Sequence, residues 1–496
     1  MLIRNATLPD GRQRDVLVEG EEIAAVGEDL PMPEDADERF VDASGKRLMP
    51  GMIDAHVHFR EPGFSHKETW ETGSRSAAAG GVTCAVDQPN TDPPTIDGAS
   101  FDEKQDRASE GSLVDFGING GVTEHWVPSA LFQRPMFALG EVFLADSTGE
   151  MGIDVELFAS AVKTATRQDT VVTVHAEDAT EFEPGAQERE DADAWSAYRT
   201  ARAEAAAVRA AAEVGDRFDA DLHVAHASTP EGIDAAAEHG MTTEVTPHHM
   251  FLSRKDSRDL ETLGRMNPPL RRERLRSKVW ERVVDGTVDI VATDHAPHTR
   301  EEKDASIWDA PSGVPGVETA LPLLLERARE GDISYERVRD LTAKNVADLF
   351  DLPTKGEIAE GMDADLVLVD PEASREIRGE DLHSKCGWTP FEGKRGVFPE
   401  LTLVRGEVVY ERFGPDSAIE AAESGEGEAR SASEQASGRS PRAENERFGD
   451  PVGVNVRTID RSSPATATGE DAEPGSETDT AGESGADPAD PDPSDE

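Results

Sequence analysis

From residue 51 to about 350 the chain repeats one pattern: a short apolar run, a loop, then a stretch of helical composition. The apolar runs fall at 51–58, 82–87, 113–119, 140–145, 171–175, 221–226, 242–246 and 288–293. Helical stretches such as 155–166 and 201–214 separate most of them, and helices near 316–329 and 334–350 close the unit. Strands alternating with helices read as βαβ units. Eight of them predict an α/β fold, a (β/α)8 TIM-type barrel over 51–354, with a doubly wound open sheet as the runner-up.

The flanks read differently. Residues 1–49 hold short strands, at 2–3, 16–19 and 22–26, punctuated by Gly11, Gly20 and Gly27. Short strands return in 355–412, at 364–369, 401–404 and 408–410. The simplest arrangement pairs 1–50 with 355–412 as one small β-sandwich domain. Residues 413–496 are rich in Ala, Ser, Gly, Glu, Asp and Pro, with Phe448 the one aromatic residue after Gly414. So little apolar surface predicts a disordered acidic tail. The island from Phe448 to Ile459, with Val452, Val454 and Val456, reads as a docking segment or, more commonly, as a less polar part of such a tail.

Net charge is −52, and residues 414–496, with 21 Asp/Glu and 6 Arg, supply only part of it. Lysine contributes 11 of the 50 basic residues. An acidic, lysine-poor composition resembles that of proteins from salt-loving microbes and points to a haloarchaeal source. Such charge disfavours nucleic acid and anionic membranes as partners. Two cysteines, Cys84 and Cys386, exclude a disulfide framework and a cysteine-based metal site. No signal-peptide pattern opens the chain and no run approaches 18 apolar residues, so a cytoplasmic protein is expected.

In residues 50–63, Asp54, His56 and His58 stand at i, i+2 and i+4, on one face of a strand, just before a Pro62-Gly63 turn. Two imidazoles so placed at a strand end can bind one metal ion; the bland alternative is a hydrogen-bonded histidine pair. The other strands add to the first reading. Glu141 lies on the fourth, His175 ends the fifth, His226 the sixth and Asp294 the eighth. Four imidazoles and two carboxylates suit two zinc-like ions, Zn2+ being the expected metal, that share a carboxylate and a water.

The motifs then resemble the dihydroorotase branch of the cyclic amidohydrolase family over residues 1 to about 412. They are Asp54-Ala-His-Val-His-Phe-Arg-Glu-Pro-Gly63, Gln88-Pro-Asn-Thr91, His175-Ala-Glu-Asp178, Glu244-Val-Thr-Pro-His-His249, Asn267-Pro-Pro-Leu-Arg271, Thr293-Asp-His-Ala-Pro-His298, Pro311-Ser-Gly-Val-Pro-Gly316 and Ser384-Lys-Cys-Gly-Trp388. The resemblance implies that His56, His58 and Asp294 bind one ion and His175 and His226 the other. It implies that Arg60, Asn90 and His298 hold the substrate carboxylate and ring, His58 beside them, and that Asn267, Ser312 and Gly313 complete the pocket. Asp294 would serve as general acid and base in the reversible closure of N-carbamoyl-L-aspartate to dihydroorotate, a pyrimidine-forming step. Arg60 lies two residues past His58, and a guanidinium grips a carboxylate through two parallel bonds.

One departure stands out. Many members of the family bridge their metals with a carbamylated lysine on strand four, and residues 140–150 hold no lysine. Glu141 is the nearest equivalent, offering two oxygens and one negative charge. Asp146 is its rival, while Lys163 falls in a helix. His248 and His249 are candidates for orienting the ligands. His223 reads as structural, and His66, His125 and His239 as surface residues. A hydantoinase or allantoinase is the second enzyme reading, which Arg60 and Asn90 disfavour because those substrates lack a free carboxylate. A non-catalytic assembly partner is the third. Assembly as a homo-oligomer or with a carbamoyltransferase stays open.

Overall fold

The structure is a computed structural model that describes residues 1–31, 39–144, 151–412 and 445–459. Eight strands form its centre: Met52–Val57, Val82–Asp87, Asp115–Ile118, Leu139–Leu144, Val172–Ala176, Leu222–Val224, Thr242–Val245 and Ile290–Val291. Pairing among the first three is parallel, as it is among the last five. Parallel bridges Gly120–Leu139 and Val57–His295 join the two groups at both ends. Nearly every residue of these strands is buried, as expected of parallel strands covered on both faces.

Helices cover the strands from outside. Trp70–Gly80, Gly98–Gly111, Val155–Thr166, Ala201–Phe218 and Pro230–Glu238 each begin at a side-chain cap, from Thr69, Asp97, Asp154, Thr200 and Thr229. In each, the cap oxygen accepts a backbone N–H that the first helical turn leaves without a partner. Sequence spacing predicts one helix over 334–350; the chain instead forms Tyr335–Arg339, one π-helical stretch at Asp340–Lys344, then Asn345–Leu349. Among the described residues, no helix is long and apolar enough to cross a membrane.

The two flanks meet in one nine-stranded sheet, where Leu366–Val369 pairs antiparallel with Arg47–Pro50. Its outermost strand is Glu446–Phe448, which pairs antiparallel with Glu407–Arg412. Residues 445–459 are thus a strap, and the expected tail is corrected there. Gly453 donates to the Ser112 carbonyl (3.0 Å), and Phe116 donates to that of Val454 (3.0 Å). The Asn455 amide donates to the Pro135 carbonyl (3.2 Å), and Arg457 Nη2 to that of Phe137 (3.0 Å). Val456 packs with Ile53, Cys84 and Phe137. Most of this anchoring is backbone pairing to strand edges, which composition does not register.

Candidate metal centre

Five of the six expected ligands, His58, Glu141, His175, His226 and Asp294, line one cavity of about 330 Å³ at the strand ends, and the sixth, His56, is buried against Glu141 and Asp294. His56, His58 and Glu141 form one group and Glu141, His175 and His226 a second; in each, the ligand atoms lie within 4.8 Å of one another. Glu141 belongs to both. Its Oε1 is 2.6 Å from His226 Nε2 and 2.9 Å from His175 Nδ1, while its Oε2 is 3.4 Å from His56 Nε2. Asp294 Oδ1 completes the first group, 3.0 Å from His58 Nε2 and 3.6 Å from His56 Nε2. Asp146 lies outside the described residues.

The backbone holds these side chains in unusual places. Gly140 has φ +149°, and a Cβ there would sit 2.0 Å from Thr173 Oγ1. Only glycine lets this strand press against its neighbour, where the Glu141 N–H donates to Gln88 Oε1 (2.8 Å). Arg60, His226 and Asp294 all have positive φ, at 65°, 37° and 47°. Side chains seldom adopt that region except where the surroundings enforce it, and such residues cluster at functional sites.

Hydrogen bonds on the far side of the His56 and His58 rings fix which nitrogen faces the centre. Glu244 Oε1 accepts from His56 Nδ1 (2.6 Å), so the Nε2 lone pair points inward. That Nε2 is buried without a hydrogen-bond partner, and so is His226 Nδ1. His58 Nδ1 donates to Asn90 Oδ1 (2.7 Å), leaving Nε2 toward Asp294. His175 Nε2 lies 3.4 Å from Glu177 Oε2, which Arg199 holds at 2.6 Å. Its Nδ1 is 3.0 Å from His226 Nε2. Ring nitrogens packed that closely around shared carboxylates, some without partners, form a donor set that fits divalent cations.

Burial raises the Glu141 carboxyl, but the charges of His226 and His56 outweigh it and hold its pKa well below the usual range. Burial likewise opposes the Asp294 carboxylate, and the His58 hydrogen bond overrides it, so its pKa falls. Burial pushes the Asp54 carboxyl up to about 7 against the Thr293 N–H (2.9 Å) and O–H (2.6 Å) donors. Asp54 thereby ties the first metal strand to the residue before Asp294.

Across the cavity, Arg60 donates to the Pro297 carbonyl (3.3 Å) and pairs with no carboxylate among the described residues. Burial lowers its pKa to about 10. His298 accepts at Nδ1 from Lys67 (3.2 Å) and donates from Nε2 to the Ser312 carbonyl (2.9 Å), a neutral tautomer beside the Arg60 Nη2 (3.2 Å). Asn267 Oδ1 accepts from Trp195 Nε1 (3.1 Å) and Ser312 Oγ (3.3 Å). Gly313 donates its N–H to the Arg265 carbonyl (3.0 Å), and its φ of +132° brings it against Ala296.

One histidine assignment changes. His249 bonds Thr246 Oγ1 (2.9 Å) and the Pro268 carbonyl (3.0 Å), so it steadies the Asn267 loop rather than a metal ligand. His248 is buried, and its Nε2 has no hydrogen-bond partner. His223, read as structural, donates to Glu244 Oε2 (3.2 Å), the same carboxylate that holds His56. Glu244 itself was legible: a glutamate inside the short apolar run 242–246 needs a reason to be buried.

The amidohydrolase family profile matches residues 47–409. A dihydroorotase of Halobacterium salinarum is 64% identical over 411 residues, 83% of this chain and 96% of that protein. A dihydroorotase of Methanosarcina acetivorans is 42% identical, over 80% of this chain and 89% of that one. Among solved structures, the L-hydantoinase (dihydropyrimidinase) from Arthrobacter aurescens superposes with a TM-score of 0.78 at 28% identity, covering 83% of this chain and 96% of its own. With profile, sequence and fold in agreement, the chain belongs to the amidohydrolase family.

Proposed function

We propose that this protein is a dihydroorotase, which closes N-carbamoyl-L-aspartate to dihydroorotate and reverses the step, on a centre of two zinc-type ions. The observation that carries it is Arg60: a buried guanidinium without a carboxylate partner among the described residues, sharing the cavity with both ligand groups. Dihydroorotate carries a ring carboxylate that such a fork grips; hydantoin and allantoin lack one. The strong identity to the two dihydroorotases supports the same choice over the hydantoinase named by the structural neighbour.

His56, His58 and Asp294 would hold one ion, His175 and His226 the other, and Glu141 would contribute to both. When bound, such ions supply Lewis acidity, acidifying water and polarising the amide carbonyl. The protein's own groups do the rest. Arg60, Asn90 and His298 orient the ring through its carboxylate, and Asn267 and Ser312 line the opposite wall. In hydrolysis Asp294 takes a proton from the attacking water and delivers it to the ring nitrogen as the C–N bond breaks. In cyclisation the same carboxyl returns the proton as water leaves. Glu244 and Glu177 fix the rings of His56 and His175.

The eight strands and their two joining bridges read as a closed (β/α)8 barrel, and the flank sheet as the small β domain beside it. The charge of −52 reads as adaptation to a salt-rich cytoplasm, with melting temperature rising from dilute buffer to molar KCl as surface repulsion is screened. The test of function is turnover of dihydroorotate, hydantoin and allantoin by the metal-loaded protein, with metal analysis. Turnover of dihydroorotate alone is expected; preference for either neutral ring contradicts the assignment.

A further inference from the structure

One cation stands behind the carboxylate wall of the cavity rather than in it. Lys67 lies in the loop between Met52–Val57 and Trp70–Gly80, where its N–H donates to the Phe64 carbonyl (2.9 Å). Its ammonium donates to His298 Nδ1 (3.2 Å) and pairs with Glu302 Oε1 (3.2 Å). Arg60, His298 and Ser312 line the reaction cavity, and Lys67 does not. Lys67 therefore acts on the cavity only through the imidazole. The other ring nitrogen, Nε2, donates to the Ser312 carbonyl and lies beside Arg60 Nη2. A carbonyl only accepts and an ammonium only donates. The two contacts together fix one state of the ring, with the proton on Nε2 and the lone pair on Nδ1.

The charges around His298 are Arg60 and Lys67 from the first loop and Glu302 and Lys303 from its own. Trp388 adds an uncharged contact, its Nε1 donating to the His298 carbonyl (2.8 Å). Burial and the charges of Arg60, Lys303 and Lys67 hold the imidazole far below its ordinary pKa. Glu302 is the one group that opposes them. Its Oε2 lies 3.7 Å from Nδ1, and a carboxylate in contact with that nitrogen draws a proton onto the ring. Lys67 fills the Nδ1 lone pair and holds Glu302 by its other oxygen, which His66 Nε2 also approaches (3.1 Å). Resting on the dihydroorotase reading, we propose that Lys67 is a positioning residue that keeps His298 neutral with its proton on Nε2, so that the substrate carboxylate meets one charged fork, Arg60, and one uncharged N–H. An imidazolium there would grip the carboxylate tightly in acid and loosen as pH rises. The neutral ring removes that dependence.

The experiment uses the metal-loaded protein in molar KCl, labelled with 15N-histidine, over about pH 6 to about 8.5, the range in which an imidazole titrates. Ring-nitrogen spectra report the state of His298, whose signals are identified by their loss in His298→Gln. The KM for dihydroorotate reports the consequence for binding. The unmutated protein should show one protonated and one bare His298 nitrogen throughout. In Lys67→Met, Glu302 should turn to Nδ1 and both nitrogens should be protonated at the acid end. The ratio of its KM to that of the unmutated protein should then grow by about fivefold or more toward the alkaline end. Lys67→Arg should restore the bare nitrogen, and so should Glu302→Gln placed in the Lys67→Met background. A neutral His298 in Lys67→Met, a KM ratio constant across pH, or a cationic ring in the unmutated protein would overturn the proposal. If Lys67→Met does not fold, Lys67→Ala carries the same comparison. Absence of dihydroorotate turnover in the unmutated protein would instead remove the activity assignment, while the nitrogen spectra would still judge Lys67.

Discussion

Two buried charge clusters sit at opposite ends of the central strands, and they are built on opposite rules. At the candidate metal centre, Glu141 and Asp294 face four imidazoles, and His56 Nε2 and His226 Nδ1 are buried without a hydrogen-bond partner. At the other end, Lys355 Nζ lies 2.8 Å from Asp115, 3.0 Å from Asp363 and 2.6 Å from Asp365. Arg405 adds a second cation against Asp115, its own N–H donates to Asp365 (2.8 Å), and Val454 N–H donates to Asp115 (3.1 Å). This second cluster carries its own cations. The first leaves donor atoms open, to be completed from outside. A buried ionic group that is fully paired ties elements together; one left incomplete is a binding site.

The contrast breaks most sharply at Glu141. Glu141→Gln should keep the fold, with a metal-free melting temperature within a few degrees of the unmutated protein, while turnover falls by more than about 100-fold. Lys355→Met should do the reverse, because three carboxylates are left facing one another. Removing one partner of a buried pair costs about 3–5 kcal/mol, so thermal melting should drop by ten degrees or more or soluble protein be lost. If the two substitutions changed stability alike, the distinction between the clusters would fail.

The strap sharpens the same comparison, since its Val454 N–H and Val452 carbonyl join the paired cluster. A chain ending at residue 444 should melt well below one ending at 459. Burial of Val456 alone accounts for roughly 1.5–3 kcal/mol. Equal melting of the two chains would make the strap a passive cover. At the open cluster, Arg60→Lys keeps charge but loses the fork. Its kcat/KM for dihydroorotate should fall by about tenfold or more, with metal content unchanged.

The smallest effect belongs to His383, which bridges Glu318 (3.0 Å) and the strap's Glu446 (3.1 Å). Burial opposes its cation, but the two glutamates outweigh it and raise its pKa to about 10. A raised histidine pKa contributes stability that is complete below the ordinary value of 6.5 and fades as pH climbs toward 10. Melting temperature should decline by a few degrees across that window, and His383→Gln should flatten the profile. An unchanged slope in that variant would assign the pH dependence to other groups.

The open cluster was legible in the sequence because most of its residues close strands, and a polar residue closing an apolar run is visible by position. His56, His58, His175, His226 and Asp294 stand out in this way, Glu141 stands out as a carboxylate inside an apolar strand, and the structure gathers all six. The paired cluster was not legible. Asp115, Lys355, Asp363, Asp365 and Arg405 come from three distant stretches, and any one of them reads as an ordinary surface charge. The strap escaped for a related reason: its partners are backbone groups of Ser112, Phe116 and Val409, which leave no side-chain pattern. The contact of His223 with Glu244 was hidden because adjacency across neighbouring strands is set by register.

Metal stoichiometry of Glu141→Ala tests the central claim most directly, namely that one carboxylate on the fourth strand completes both ligand groups. The unmutated protein, stripped and reloaded, should hold two ions per chain. The variant should hold one or none, because His175 and His226 alone are too few ligands to keep the second ion. Two ions per chain in Glu141→Ala would contradict the claim and move the shared ligand to another residue.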